Sequence, residues 1–475
     1  MKKICFASCL ALLFTACLMG PNYQRPPVTA PEQYYGSQEA AEAKSLADLP
    51  WWQVFDDPTL KGLVDEALKN GFDARVAAAR VEEARARYGI ARSELYPQVD
   101  YRLGVDRTKQ RDLSNNPTTD TRYSANVNLS WELDLWGRIR RLSESAKAQY
   151  FATEEARRGV LLSLTSDVAT AYFELRELDA ELEIARRTQQ AFQDTYDLFN
   201  RRLQGGAASA LETSRAEASL ADVSAAIPEL ERAIVAKENQ INFLLGRNPQ
   251  PVERDTPMPP LPPPVPAGLP SQLMERRPDI REAEQLLVSA NANIGAAKAE
   301  FFPTLSLTGI FGYASSDLSD LISKGNFWSV GAGLLGPIFH GGRLKRQYEV
   351  TKAQFVQAKV QYEGAVTNAF GEVSTSLVDR VKLQETVEQR SRSVAANEEA
   401  VRLSNIRYLS GFASYFEVLE AQQQLFPAEN LLAQSKRDQF LAVVALYRAL
   451  GGGWQVEEAG GAPGGAPPAS ATPTP

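Results

Sequence analysis

The chain is poor in reactive side chains, and where they sit narrows the chemistry open to it. Its three cysteines, Cys5, Cys9 and Cys17, lie at one end, and His340 is its only histidine. Lys2 and Lys3 make a charged start, and the apolar run from Ile4 to Ala16 is too short to span a bilayer. Residues 1–16 therefore read as a cleaved signal peptide, and cleavage before Cys17 would leave one thiol and no intrachain disulfide. The small residues of "FTAC" suit lipidation of that thiol, although Phe14 stands where such signals usually carry Leu. Cys17 is the expected lipidation site, bearing covalent diacylglycerol and an N-acyl chain such as palmitate. An ordinary secretory cut leaving Cys17 unmodified is the other reading. One histidine cannot build a histidine metal site or a catalytic triad. "GGG" at 451–453 lacks the strand, lysine and helix of a phosphate loop, and no carboxylates form a catalytic constellation. The expectation is no enzyme, no catalytic residue, no metal and no cofactor beyond the lipid.

The elements around these residues point to architecture. The balance is mildly acidic, 58 Asp+Glu against 51 Lys+Arg, and no basic block suggests nucleic acid. Beyond the signal no stretch of about 18 apolar residues exists, so no helix should cross a membrane. Landmarks recur at a near-constant spacing. Gly89 and Pro97 return as Gly295 and Pro303, 206 residues on, and Gly137-Arg138 as Gly342-Arg343, 205 on. Gly205 pairs with Gly411 at 206, and Leu245-Gly246 with Leu450-Gly451 at 205. One chain thus carries two similar units, each a candidate piece of a larger symmetric object. The resulting division is an extended Pro- and Ala-rich lead at 17–50, a first repeat at 51–248 and a second at 271–453. A Pro-rich connector at 249–270 joins them, read as a strap packed across helices rather than a flexible linker, and 454–475 is expected to be disordered.

Each repeat alternates long helical and short extended patterns. Leu161, Leu164, Val168, Ala171, Leu175, Leu178, Leu182 and Ala185 fall three and four apart, and the series continues through Phe192, Tyr196, Phe199 and Leu203. A helix from about 138 to 203 would be about 100 Å long. Val387, Val394, Val401 and Tyr408 mark the matching helix from Leu344 to about Ile406. Glycine turns should follow, then returning helices at 209–245 and 414–449, kinked or broken at Pro228 and Pro427. A plain soluble coiled coil would fit these helices equally well.

The extended segments separate the two readings. From 123 to 135, Tyr123, Ala125, Val127, Leu129, Trp131, Leu133 and Leu135 alternate with Ser124, Asn126, Asn128, Ser130, Glu132 and Asp134. That is a two-faced strand long enough to cross an outer membrane. Val99, Tyr101, Leu103 and Val105 form its partner, within a hairpin at 98–134. In the second repeat, within 304–338, Leu305, Leu307, Gly309, Phe311 and Tyr313 alternate with polar residues, as do Trp328, Val330, Ala332 and Leu334. Val127, Leu129, Trp131, Leu305, Leu307, Trp328 and Val330 are the expected lipid-facing residues. Four strands cannot close a barrel in lipid, so copies of the chain must complete it.

Four stretches then carry a resemblance. They are "CLMGPNYQRPPV" at 17–28, "WWQVFDDPTLKGLVDEAL" at 51–68, "RPDIREAEQLLVSANANIGAAKAEFFPTLSLTG" at 277–309 and "GPIFHGGRLK" at 336–345. The chain resembles the outer-membrane efflux channel lipoproteins of the TolC/OprM-like superfamily, which serve tripartite pumps of the resistance-nodulation-division (RND) type. The resemblance implies a mixed α/β membrane protein: a homotrimer with a twelve-stranded β-barrel, four strands per protomer, continuous with a periplasmic coiled-coil helical barrel. Residues 98–108, 123–134, 304–314 and 328–338 would be the membrane strands. It also implies an outer-membrane exit duct that passes small molecules such as drugs from an inner-membrane RND-type transporter and a periplasmic adaptor (membrane fusion) protein.

The turns would be the periplasmic tips, closing the duct and meeting the adaptor. Candidates there are Arg201, Arg202, Leu203, Gly205 and Ser209, then Arg407, Tyr408, Leu409, Gly411 and Ser414, the glycines permitting the turns. Arg407 could equally be a solvated charge at a helix end. Residues 404–416, "SNIRYLSGFASYF", hold no carboxylate for the acidic ring of some relatives. A secreted coiled-coil scaffold without a pore, and a protein-exporting channel of the same superfamily, remain as alternatives.

Overall fold

The computed structural model describes residues 18–37, 45–111, 117–254, 260–262 and 268–452. The signal peptide, Cys17 and the tail at 454–475 lie outside the described residues, as do parts of the lead and the connector. Two compact units divide the chain, and each gathers residues from both repeats.

The first unit comprises residues up to 30, 76–157 and 278–368. It holds most of helix α1 (Phe72–Ser93), strands β1 (Gln98–Arg111) and β2 (Pro117–Leu133), and the start of α2 (Arg138–Gln204). Helix α3 (Pro278–Ala299), strands β3 (Thr304–Ser315) and β4 (Asn326–Leu335), and the start of α4 (Arg343–Leu409) complete it. The strands form one antiparallel sheet in the order β1-β2-β3-β4. β1 and β2 run farther toward their loop than the expected spans, while β4 stops at Leu335 rather than 338. Gly336 packs against Pro303 there, and Pro337 has no amide to extend a ladder. In the loop after β3, Leu318–Asp320 makes a 3-10 turn and Leu321–Lys324 a single helical turn.

The lead is built into this unit. The Met19 amide donates to the Trp136 carbonyl at 3.1 Å. The buried Arg141 guanidinium donates to the Met19 carbonyl at 3.0 Å, to Asn22 Oδ1 at 2.9 Å and to Glu144 at 2.8 Å. Gly20, at φ +87°, passes so close to Gly295 that a Cβ on either would collide with the other's strand of chain. Arg25 and Tyr23 then both reach Glu284 of α3.

The second unit comprises 31–75, 158–277 and 369–452. It contains a helix at Pro58–Asn70, the remainder of α2 and α4, and the returning helices α5 (Ala210–Leu244) and α6 (Tyr415–Ala449). Asp57 caps the Pro58–Asn70 helix by accepting from the Thr59 and Leu60 amides at 2.9 and 3.0 Å. Its buried face, Leu60, Leu63, Val64 and Ala67, has helical spacing. Pro228 and Pro427 do not break the returning helices; each lies inside one continuous 35-residue helix. A proline forfeits a single ladder bond, and buried residues on both sides of it, Ala216 and Val223 before Pro228 and Ile234 and Ile241 after, hold α5 in register. The first connector residues lie on α2 and α5: Arg254 pairs with Asp179 at 2.6 Å and Glu238 at 2.6 Å, and Val252 is buried.

Candidate functional site: the two-faced sheet and the helical turns

Strand register decides what the alternating segments make. Directly opposed residues on antiparallel strands share a face. Val99 faces Leu129, Tyr101 faces Val127, Leu103 faces Ala125 and Val105 faces Tyr123. Across the next ladder Val127 meets Phe311, Trp131 meets Leu307 and Leu133 meets Leu305. Then Phe311 meets Trp328, Gly309 meets Val330 and Leu305 meets Leu334. All four alternations thus coincide on one face. The other face runs through Asp100, Asn128 and Ser329, and through Ser130, Thr308 and Gly331, with Ile310, Ala314, Phe327 and Leu335 as apolar exceptions.

Among the described residues, most of the apolar face is uncovered. Trp328 and Val330 are 71% and 75% exposed, Val127 and Leu129 are exposed, and Trp131, Leu305 and Leu307 are half-buried. Among the described residues, no strand pairs with the outer edges of β1 and β4, which leaves each with an open row of backbone groups. Aromatic groups gather where the strands meet the helices. Trp131 Nε1 donates to the Leu95 carbonyl at 3.1 Å, and Trp136 Nε1 donates to the Pro303 carbonyl at 2.8 Å while stacking on Phe302. An apolar band with polar backing and aromatic ends is the grammar of a membrane sheet.

The turns between the long and returning helices are built alike. In the first, the Gly206 amide donates to the Leu203 carbonyl and the Ala207 amide to the Arg202 carbonyl, at 3.0 and 2.7 Å. In the second, Gly411 donates to Tyr408 and Phe412 to Arg407, at 3.0 and 2.9 Å. Both are Schellman closures around a left-handed glycine, Gly206 at φ +73° and Gly411 at φ +77°. Gly205 lies in the turn just before Gly206, which takes the left-handed position, so the repeat offset there is 205.

The turns differ in their side chains. Ser209 caps α5 in a reciprocal box with Glu212: its hydroxyl accepts from the Glu212 amide, and Glu212 accepts from the Ser209 amide at 2.8 Å. That amide bond holds the Glu212 carboxyl below the usual carboxylate range. Ser414 occupies the same place before α6 but makes no side-chain cap. Glu417, its would-be partner, pairs instead with Arg407 at 3.1 Å. Arg202 donates to the Tyr408 hydroxyl and lies over its ring at 5.3 Å. Tyr408 packs edge-on against Tyr415, which packs on Phe199 and hydrogen-bonds Thr195 at 2.6 Å. These rings join a core of Phe192, Val223, Val418 and Leu419.

The comparisons with known proteins converge. The family described as "Outer membrane efflux protein" matches twice, over residues 63–247 and 269–452, once per repeat. The chain belongs to the outer membrane efflux protein family. It is 35% identical to the cation efflux system protein CusC of Escherichia coli O6:H1, over 94% of this chain and 98% of that one. It is 36% identical to the toluene efflux pump outer membrane protein TtgC of Pseudomonas putida, over 95% and 96%. The outer-membrane channel OprN superposes with a TM-score of 0.86 at 32% identity, covering 92% of this chain and all of that one. The open state of the Neisseria gonorrhoeae MtrE channel superposes at 0.82 and 32%, covering 92% and 99%. Members of this efflux family are non-catalytic channels, and this protein is an outer-membrane exit duct of a tripartite efflux system, passive in its action. Among the described residues no group of histidine, cysteine or carboxylate side chains could hold a metal ion.

Most of the tip candidates of this family member lie close to one another. Arg202 meets Tyr408 across the two turns, Arg407 pairs with Glu417, Leu203 and Leu409 are exposed, and Arg201 donates back to the Asp197 carbonyl. Sequence reasoning missed Glu212, Glu417, Thr195 and Tyr415. The first two were legible as Ser-x-x-Glu at 209–212 and 414–417; the carboxylate of the second turn stands one residue beyond the 404–416 window. His340 falls five residues after β4, its Nδ1 accepting from Arg343 at 3.0 Å.

Proposed function

We propose that three copies of this chain close their sheets edge to edge into a twelve-stranded barrel through the outer membrane. Their long helices would form the periplasmic passage below it. The observation that carries this reading is the single apolar face shared by four strands whose two outer edges are open. Open edges cannot persist in lipid, and an uncovered face of this size is not stable in water. Exposed Val350, Val356 and Val360 along α4 give neighbouring copies a surface to pack against. Lipid on Cys17 would anchor the protein beside its barrel, because the chain is fastened to the strand–helix junction two residues later.

The periplasmic ends would be the turns at Gly206 and Gly411. Arg201, Arg202, Leu203, Gly205, Ser209, Arg407, Tyr408, Leu409, Gly411 and Ser414 are assigned there to closure and to docking of a periplasmic adaptor. An inner-membrane RND-type transporter would supply the energy. The relatives' names span cations, antibiotics, toluene and solvents, so cargo is assigned to the small-molecule class, with selection made by the pump. The test is recovery of heat-modifiable trimers from outer membranes, followed by reconstitution. Single-channel conductance is the expected result; a soluble, non-conducting oligomer would instead establish a scaffold.

A further inference from the structure

Helices α2 and α6 pack antiparallel along a seam within the second unit, and its rungs can be read in order. Phe173 stacks on Phe440 at 4.6 Å, Arg437 donates to Glu177 at 3.1 Å, Gln434 donates to Glu181 at 2.8 Å, and Arg187 pairs with Glu429. The middle two rungs are anomalous. Glu177 and Glu181 lie one turn apart on the same face of α2 and are only 6% and 9% exposed within a single chain. The charged groups facing Glu177 are Glu181 on its own helix and Arg437 on α6. Arg437 is shared, since its Nε and a terminal nitrogen donate to Asp438 at 3.0 and 2.8 Å. Arg176, the nearest other cation on α2, is turned away and donates to the Tyr172 hydroxyl at 3.0 Å. Two buried carboxylates thus stand one turn apart on this seam, and the guanidinium that reaches Glu177 is shared with Asp438.

We propose that Glu177, buried beside Glu181, holds a proton and acts as a pH-sensitive lock on the packing of α2 against α6. Burial first, and Glu181 second, push the Glu177 carboxyl up to about 7, against the opposing pull of Arg437. The sign follows from the raised value. An unfolded or separated helix releases the proton near the ordinary carboxylate value, whereas the packed seam keeps it to about 7. Packing is therefore firmest below the ordinary value, weakens as pH rises toward 7, and levels off above it. When the proton leaves, two like charges face each other in a buried site with one shared cation. The seam then opens more readily.

The test uses the full-length protein in lipid vesicles. Infrared spectroscopy should show a protonated-carboxyl stretch at pH 6 that titrates near 7 and disappears in Glu177→Gln. Hydrogen exchange of α6 residues 431–441, corrected for intrinsic chemistry, should speed up between pH 6 and 8.5 by about tenfold and change little above pH 8. Glu177→Gln and Glu181→Gln should each flatten that response. No titrating carboxyl band in the wild type, or an undiminished exchange response in both variants, overturns the proposal. The band needs no pore, so its result stands even if the duct reading fails. A rise of conductance with pH that Glu177→Gln abolishes would extend the lock to gating.

Discussion

At the scale of single residues, the repeat conceals unequal demands on equivalent positions. Gly89 and Gly295 are counterparts, yet a Cβ at Gly89 would meet nothing within 4 Å, while one at Gly295 would lie 2.5 Å from the Met19 carbonyl and 2.8 Å from Arg141 Nε. Gly89→Ala should therefore stabilise α1 by about 0.5–1 kcal/mol through helix propensity. Gly295→Ala should push the lead off its bed, at about 1–3 kcal/mol, and expose residues 18–25 to protease. Denaturant midpoints and limited proteolysis of the two variants check this. Equal damage from both would mean that Gly89 also meets a close neighbour, such as a second copy. The pairing of these glycines was legible as a spacing, but the need for Gly295 was not. That need arises from the lead, whose path across α3 depends on the buried Arg141 and follows no periodic pattern.

At the scale of elements, the long helices were readable almost to their ends because heptad spacing accumulates over many turns. The expected span from about 138 to 203 and the observed Arg138–Gln204 differ by a residue. Of the kink or break expected at Pro228 and Pro427, the break does not occur, because tertiary packing outweighs one lost backbone bond. The turns show a different limit. Ser209 and Ser414 are both followed three residues later by glutamate, and sequence alone cannot tell which box closes. Competition decides it: Arg407 draws Glu417 away, and Arg202, engaged with Tyr408, leaves Glu212 free to cap. Ser209→Ala should accordingly cost about 1 kcal/mol and fray the first turn of α5. Ser414→Ala should change little, having no side-chain cap to lose. Amide exchange at residues 210–213 and 415–418 reads out the difference. A matched loss in both variants would show that Ser414 caps in solution and that the Arg407–Glu417 pair is not the resting arrangement.

At the scale of the whole molecule, the sheet's two faces govern where the protein can exist. Alternation revealed the faces, but only the ladders show that all four apolar sets point the same way, since a slip of one residue in any strand would have put a set on the polar side. Ser329 and Val330 are adjacent on β4 and test the two faces with one chemistry. Arginine at Val330 would face lipid and cost about 2–4 kcal/mol near the midplane, whereas arginine at Ser329 would face the watery interior at little cost. Val330→Arg should thus deplete heat-modifiable trimer from outer-membrane fractions, while Ser329→Arg should assemble normally and shift only conductance or ion preference. Chain length and strand position are matched, so a general intolerance of β4 to bulk would strike both variants alike. Failure of Ser329→Arg alone, with Val330→Arg assembled, would invert the faces and with them the barrel: the apolar set would then line a dry interior, and no aqueous passage could run through it.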